Sequence, residues 1–220
     1  MNYQEFLRSM ESPVAGAILE KWPKGHIAQL WAENPKLYAN AAGRYDDFHT
    51  HFGGHTGIDI LGAQGTPIRA AHDGNVIATQ GERTKQGGLE VWIESAVYDD
   101  NGTLAKCSTS YSHLDSYIVQ VGQYVTKGQV VGYMGNTGFV ISGGTKYWGN
   151  APAGKGVHLH YGLHEYVFKN GYWQPRYVNV LRNSTDPLPY ISETPEMPEG
   201  NLSGIAVMLG HMKQYLSRSS

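Results

Sequence analysis

Glycine punctuation restricts the fold of this chain more than any other feature. The 220 residues include 28 glycines. From about Phe48 to Asn183, Gly, Asn and Asp cut the sequence into short runs rich in β-branched and aromatic residues. Runs of that length and composition between turn residues read as strands. The candidates are Thr66–Ala70, Asn75–Ala78, Leu89–Val97, Ala105–His113, Gln129–Met134 and Val157–Leu163. Asp99-Asp100-Asn101-Gly102 separates two of them and reads as a hairpin turn, because Asn-Gly readily supplies positive φ. The expected fold class is mainly β, with a largely antiparallel sheet.

The flanks have a different texture. Phe6, Leu7, Met10, Val14, Ile18, Leu19 and Trp22 fall at helical spacing, which predicts a helical N-terminal extension. Ser12-Pro13 fits an N-cap followed by proline at the first helical position, so two short helices are as consistent as one. A further short helix is expected over Ile27–Ala42, interrupted near Pro35. Beyond Pro187 the prolines and acids read as a linker, and Gly204–Leu216 as a docking helix or a strand. The expected organisation is an extension over 1–44, a β domain over 45–186 and a tail over 187–220.

Composition excludes several classes. Hydrophobic residues make up 40% and charged residues 16%, enough apolar material for a core and too little charge for a disordered chain. A net charge of −2 and a pI of about 6.5 offer no basic surface to nucleic acid or anionic membrane. No segment approaches the roughly 20 apolar residues that span a bilayer. The single cysteine, Cys107, excludes an intrachain disulfide and reads as a small buried hydrophobe rather than a nucleophile. The N-terminus carries Glu5, Glu11 and Glu20 without a basic start and apolar block, so no signal peptide is expected. A substrate outside the cytoplasm then requires another route: a phage origin (virion-carried or released at lysis), which we favour, a mature form, or nonclassical export.

Ten histidines are the chemical signal. His55 and Asp59 are four residues apart, on one face of an extended chain. Imidazole nitrogen and carboxylate oxygen both ligate Zn²⁺, though such a pair alone is more often structural. His158-Leu159-His160 puts two imidazoles on one face of a strand, after the flexible Ala153-Gly154-Lys155-Gly156. His113 ends the strand Ala105–His113 and faces the loop that follows. A catalytic zinc site needs three protein ligands and an open position, which would leave two of these five side chains to handle protons.

These segments resemble the M23 metallopeptidases, the lysostaphin and LytM type of cell-wall endopeptidase. That family's H-x-x-x-D motif is similar to His55–Asp59, its H-x-H motif to His158-Leu159-His160, and its Y-x-H-L to Tyr111-Ser112-His113-Leu114. Gly65–Ala70, Asp73–Val76, Val121–Gln129, Val130–Gly132 and the turn Gly135-Asn136-Thr137-Gly138 extend the likeness over about Gly53–Glu165. The resemblance implies one zinc ion held by His55, Asp59 and His160, with His113 and His158 as the non-ligand histidines. It implies metal-assisted hydrolysis of peptide bonds in peptidoglycan, in stem-peptide crosslinks or bridges, and so a site of action at the cell wall. Two alternatives stay open: a peptidase for a non-wall peptide, and a non-catalytic wall-binding module that kept its ligands.

The other histidines have ordinary readings beside functional ones. His164, four residues after His160, is a candidate outer-shell group on the same face, and His49 and His51 are candidates for the cleft rim. His26, His72 and His211 carry no functional expectation. Among the 15 tyrosines and five tryptophans, Tyr147 and Trp148 are substrate-binding candidates, in a loop over Phe139–Gly156 expected to form a mobile wall of the cleft. Oligomeric state is not legible.

Overall fold

The computed structural model describes residues 1–34, 54–177 and 183–195. In chain order the elements are α1 (Tyr3–Arg8), β1 (Met10–Glu11), β2 (Ile27–Gln29), β3 (Ile58–Leu61), β4 (Pro67–Arg69), β5 (Gly74–Gln80), β6 (Leu89–Tyr98) and β7 (Leu104–Tyr117). There follow β8 (Tyr124–Val125), β9 (Val130–Met134), β10 (Phe139–Ser142), β11 (Thr145–Trp148), β12 (His158–Lys169), β13 (Tyr172–Pro175), β14 (Ser184–Thr185), a 3₁₀ turn (Leu188–Tyr190) and β15 (Ile191–Ser192). The main sheet runs β2-β3-β12-β7-β6-β5-β8, with β13 and β14 also on β12 and β9 joining β4 to β7. Its central pairs, β3–β12, β12–β7 and β7–β6, are antiparallel. The fold is thus mainly antiparallel β, as the glycine punctuation predicts.

Period-two patterning explains why the long central strands hold together. Leu89, Val91 and Ile93 on β6, Ala105, Cys107, Thr109 and Tyr111 on β7, and Leu159, Tyr161, Leu163 and Val167 on β12 are buried in one core. The alternate residues face the other side, so three adjacent strands present one apolar and one polar face. Asp99–Gly102 does turn β6 into β7: Asp99 N–H donates to the Thr103 carbonyl at 2.8 Å, and Gly102 takes φ of 70°.

The flanks depart from the sequence reading. Among the described residues α-helix is confined to α1, where Asn2 Oδ1 accepts from Glu5 N–H at 2.9 Å and Glu5 Oε2 accepts from Asn2 N–H at 2.9 Å. Ser12-Pro13 starts no second helix, because its polar groups are used otherwise. Ser12 N–H donates to the Ser192 carbonyl at 2.7 Å and Ser12 Oγ–H to the Val14 carbonyl at 3.0 Å, beside the parallel pair β1–β15. The expected helix from Ile27 begins instead as β2, where Ile27 opposes Ile60 and Gln29 opposes Asp59 on β3. Residues 30–34 continue without helix, and 35–42 lie outside the described residues, as does Gly204–Leu216. Neither described flank is loose: Tyr3, Leu7 and Met10 are fully buried in the common core, and Ile191 packs with them.

Candidate metal centre

The five motif residues are not all aimed by the same device. His158 and His160 need only the regular alternation of β12, which turns Leu159 and Tyr161 into the core. Asp59 lies opposite His160 in the β3–β12 ladder. Gly57 lets the first motif approach β12: a Cβ there would lie 2.4 Å from the Tyr161 carbonyl oxygen and 3.0 Å from the His160 ring.

His55 is fixed from the N-terminal segment. Its N–H donates to the Glu33 carbonyl at 2.9 Å, and its carbonyl accepts from Ala32 N–H at 2.8 Å. Its Nδ1–H donates to the Leu30 carbonyl at 3.1 Å. Glu33 in turn accepts from Leu30 N–H at 2.7 Å and pairs with Lys21. Residues 30–33 thus serve as a clamp on the first ligand candidate, a role with no signal in the sequence.

His113 is reached by breaking a rule. Its strand continues to Tyr117 rather than ending, so alternation would send His113 into the core with Tyr111. Instead His113 adopts φ of 61°, a left-handed conformation uncommon for a side chain with a Cβ. Ser112 and His113 therefore both line the cleft, while Tyr111 and Leu114 are fully buried. The Gly87 carbonyl accepts from His113 N–H at 2.7 Å, and the Thr137 carbonyl accepts from His113 Nδ1–H at 2.8 Å. Thr137 is held by donating from Oγ1 to the Leu114 carbonyl at 2.8 Å.

Three donor atoms converge. His55 Nε2 is 2.9 Å from His160 Nδ1 and 3.0 Å from Asp59 Oδ1, and His160 Nδ1 is 3.1 Å from Asp59 Oδ1. A carbonyl can only accept, so the Leu30 contact puts the His55 proton on Nδ1 and leaves a lone pair on Nε2. In that neutral form the His55 lone pair and the Asp59 carboxylate oxygen, 3.0 Å apart, converge where one cation would meet both. Two nitrogens and one carboxylate oxygen suit Zn²⁺ better than Mg²⁺ or Ca²⁺, which favour all-oxygen shells. Ligand atoms about 2.0–2.1 Å from a tetrahedral zinc stand about 3.3 Å apart, close to the separations seen. The donor set fits the ion.

The electrostatics agree. Burial alone would raise the Asp59 carboxyl, but His55, His158 and the hydrogen bond from His160 outweigh it and hold it well below the usual carboxylate range. Burial lowers His160 despite the Asp59 contact. Burial, then the neighbouring His158 and His160, hold His113 well below the usual imidazole range. His158 donates from Nδ1 to the Gly156 carbonyl at 2.9 Å and brings Nε2 to 3.6 Å from Asp59 Oδ2. The His113 and His158 rings are 4.6 Å apart between centroids.

All five residues line one open cleft of about 620 Å³. His164 lines it too, but packs on Trp92 with centroids 5.4 Å apart. Tyr147 and Trp148 are placed differently from expectation. The loop over 139–156 contains the hairpin β10–β11, with Phe139 opposite Trp148 and Val140 opposite Tyr147. Trp148 stacks on Phe139 at 4.4 Å, and Phe139, Val140 and Ile141 line the cleft while their hairpin partners do not. His49, His51 and His211 lie outside the described residues. His72 is buried, with Nδ1–H donating to the Asp73 carbonyl at 2.7 Å and Nε2 at 3.0 Å from Thr109 Oγ1. Cys107 is fully buried, and burial pushes its thiol far up, as befits a core residue.

Among known proteins, lysostaphin of Staphylococcus simulans is 30% identical over 141 residues, 63% of this chain and 22% of its own length. The DD-carboxypeptidase/endopeptidase Mpg of Neisseria meningitidis is 36% identical over 107 residues, 49% of this chain and 19% of its own. The peptidoglycan DD-endopeptidase ShyA of Vibrio cholerae is 32% identical over 109 residues, 50% and 20%. The chain thus spans about a fifth of the length of these relatives. Among the described residues no helix is long and apolar enough to cross a membrane. Residues 53–175, more than half of the chain, match the profile of peptidase family M23, and the chain belongs to that family.

Proposed function

We propose that this chain is a zinc-dependent endopeptidase that hydrolyses peptide bonds of bacterial peptidoglycan, in stem-peptide crosslinks or bridges, and so works at the cell wall. The observation that carries the reading is the approach of His55 Nε2, Asp59 Oδ1 and His160 Nδ1 to 2.9–3.1 Å of one another in an open cleft, beside two further imidazoles. Family membership supports the peptidase class, and the similarity to ShyA, a peptidoglycan DD-endopeptidase, supports the substrate.

In this reading His55, Asp59 and His160 would hold one zinc ion, which would supply Lewis acidity for activating a water and polarising the scissile carbonyl. His113 and His158 move the protons. Each has its Nδ1 proton committed to a backbone carbonyl, so each offers the Nε2 lone pair to the cleft as a base. The low affinity of His113 for a proton keeps it neutral, and therefore able to accept one, at neutral pH. Once charged, either ring can donate to the developing oxyanion or the leaving amine. Asp59 Oδ2 lies 3.6 Å from His158 Nε2, on the same side of the cleft. Trp148 and Tyr147 contribute to substrate binding through β10, by supporting Phe139 and Val140 against the cleft.

The test is mass spectrometry of fragments released from purified peptidoglycan, with and without a zinc chelator. New peptide ends that vanish on chelation and return with zinc are expected. Zinc bound at one equivalent with no release from several wall chemotypes would shift the reading to a wall-binding module or a different peptide substrate.

A further inference from the structure

Trp92, His164 and Tyr166 take no part in that proton chemistry, yet they continue the same cleft away from the metal candidates. Along β12, Gly162, His164 and Tyr166 follow His160 on the cleft side. At about 3.3 Å rise per residue, His164 and Tyr166 lie about 13 and about 20 Å beyond His160. Across the sheet, Gly162 opposes Ser110 and Ser110 opposes Trp92. The indole reaches over this small row to His164, with ring planes inclined by 34°. Gly162 keeps the floor low between the metal candidates and the aromatic pair: a Cβ there would lie 2.5 Å from Ser110 Oγ. Polar groups edge the aromatic floor. Glu94 accepts from Ser108 Oγ–H at 2.9 Å and pairs with Lys106 at 2.9 Å, and Lys106 Nζ lies 5.4 Å from the Tyr166 ring centre.

An aromatic floor edged by hydroxyl, carboxylate and ammonium groups matches a ligand with an apolar C–H face and a polar rim, which describes a pyranose. A peptide held by strand addition would need an unpaired backbone edge. The floor offers none, since β7 is paired on both sides and β12 is flanked by β7 and by β3 and β14.

We propose that this part of the cleft is a saccharide subsite that takes an N-acetylated hexose of the wall glycan, so that the peptide is cut while still attached to its sugar. The link to cutting rests on the peptidase reading above; the sugar site itself does not. Extended peptide covers about 3.3–3.6 Å per residue, so the bond at the metal centre lies about four to six residues from the sugar.

Two measurements on the full chain test this. The first titrates the N-acetylglucosamine tetramer by calorimetry into the wild type, Trp92→Ala and Tyr166→Ala, after circular dichroism and zinc content have shown that the variants are folded. Millimolar or tighter binding by the wild type, weakened about tenfold or more in a folded variant, is expected. No binding by the wild type overturns the proposal. The second compares kcat/KM on one crosslinked peptide with and without its disaccharide. The wild type should prefer the sugar-bearing form by about tenfold, and the preference should collapse in the variants. A wild-type ratio near one, or equal losses on both substrates, would make the floor a peptide subsite and overturn the saccharide assignment. Tetramer binding without hydrolysis of either substrate would leave the sugar site standing and remove the peptidase reading.

Discussion

β12 and β7 are neighbours in the sheet and both divide their side chains between core and cleft, but only β12 does so by regular alternation. On β12, Leu159 and Tyr161 are buried while His158 and His160 face the cleft. On β7 the alternation fails at His113, whose left-handed backbone puts it beside Ser112 on the cleft side. Regular geometry thus suffices for the histidine pair, whereas His113 is delivered by a local distortion of the kind that persists where surrounding structure over-determines it. Hydrogen bonds from the His113 backbone to Gly87 and from its ring to Thr137 provide that determination.

Substitutions can break or sharpen this contrast. The largest effect is expected in hydrolysis: His113→Ala and His158→Ala should each lower kcat/KM by about 10²–10⁴, measured on a soluble crosslinked peptide. Normal turnover in either would remove that residue from the chemistry. Next is Leu159→Ala, which leaves both neighbouring histidines in place but opens a cavity on the core face. It should cost about 2–5 kcal/mol in denaturant unfolding, and a loss below about 1 kcal/mol would show that the core side of β12 is less tightly packed than described. The smallest effect isolates the distortion itself. His113→Gly should be more stable than His113→Ala by about 1 kcal/mol, because glycine adopts positive φ without the Cβ penalty. Equal stabilities would mean that the left-handed backbone carries no cost.

The same contrast explains what could be read from the sequence. The β class, the Asp99–Gly102 turn and the shared face of His158 and His160 all follow from period-two patterning and turn chemistry, which are local. The left-handed turn at His113 is not, because it depends on Gly87 and Thr137 arriving from loops distant in sequence. The clamp of Leu30–Glu33 on His55 was hidden for the same reason, since backbone carbonyls leave no trace in residue identity. The N-terminal helix reads longer in the sequence than in the fold because apolar residues such as Met10 and Val14 suit a helical stripe and a short buried strand or turn equally well. Tyr147 and Trp148 read as substrate-binding candidates near the histidine pair, but which side of a hairpin meets the cleft is a property of its packing.

The most direct test of the central claim is zinc stoichiometry, by elemental analysis after exhaustive dialysis, in alanine variants of all five residues that remain folded. His55→Ala, Asp59→Ala and His160→Ala should lose the single zinc, and His113→Ala and His158→Ala should keep it. Retention of a full equivalent in any of the first three, or its loss from either of the last two, would contradict the division between metal-holding and proton-moving residues.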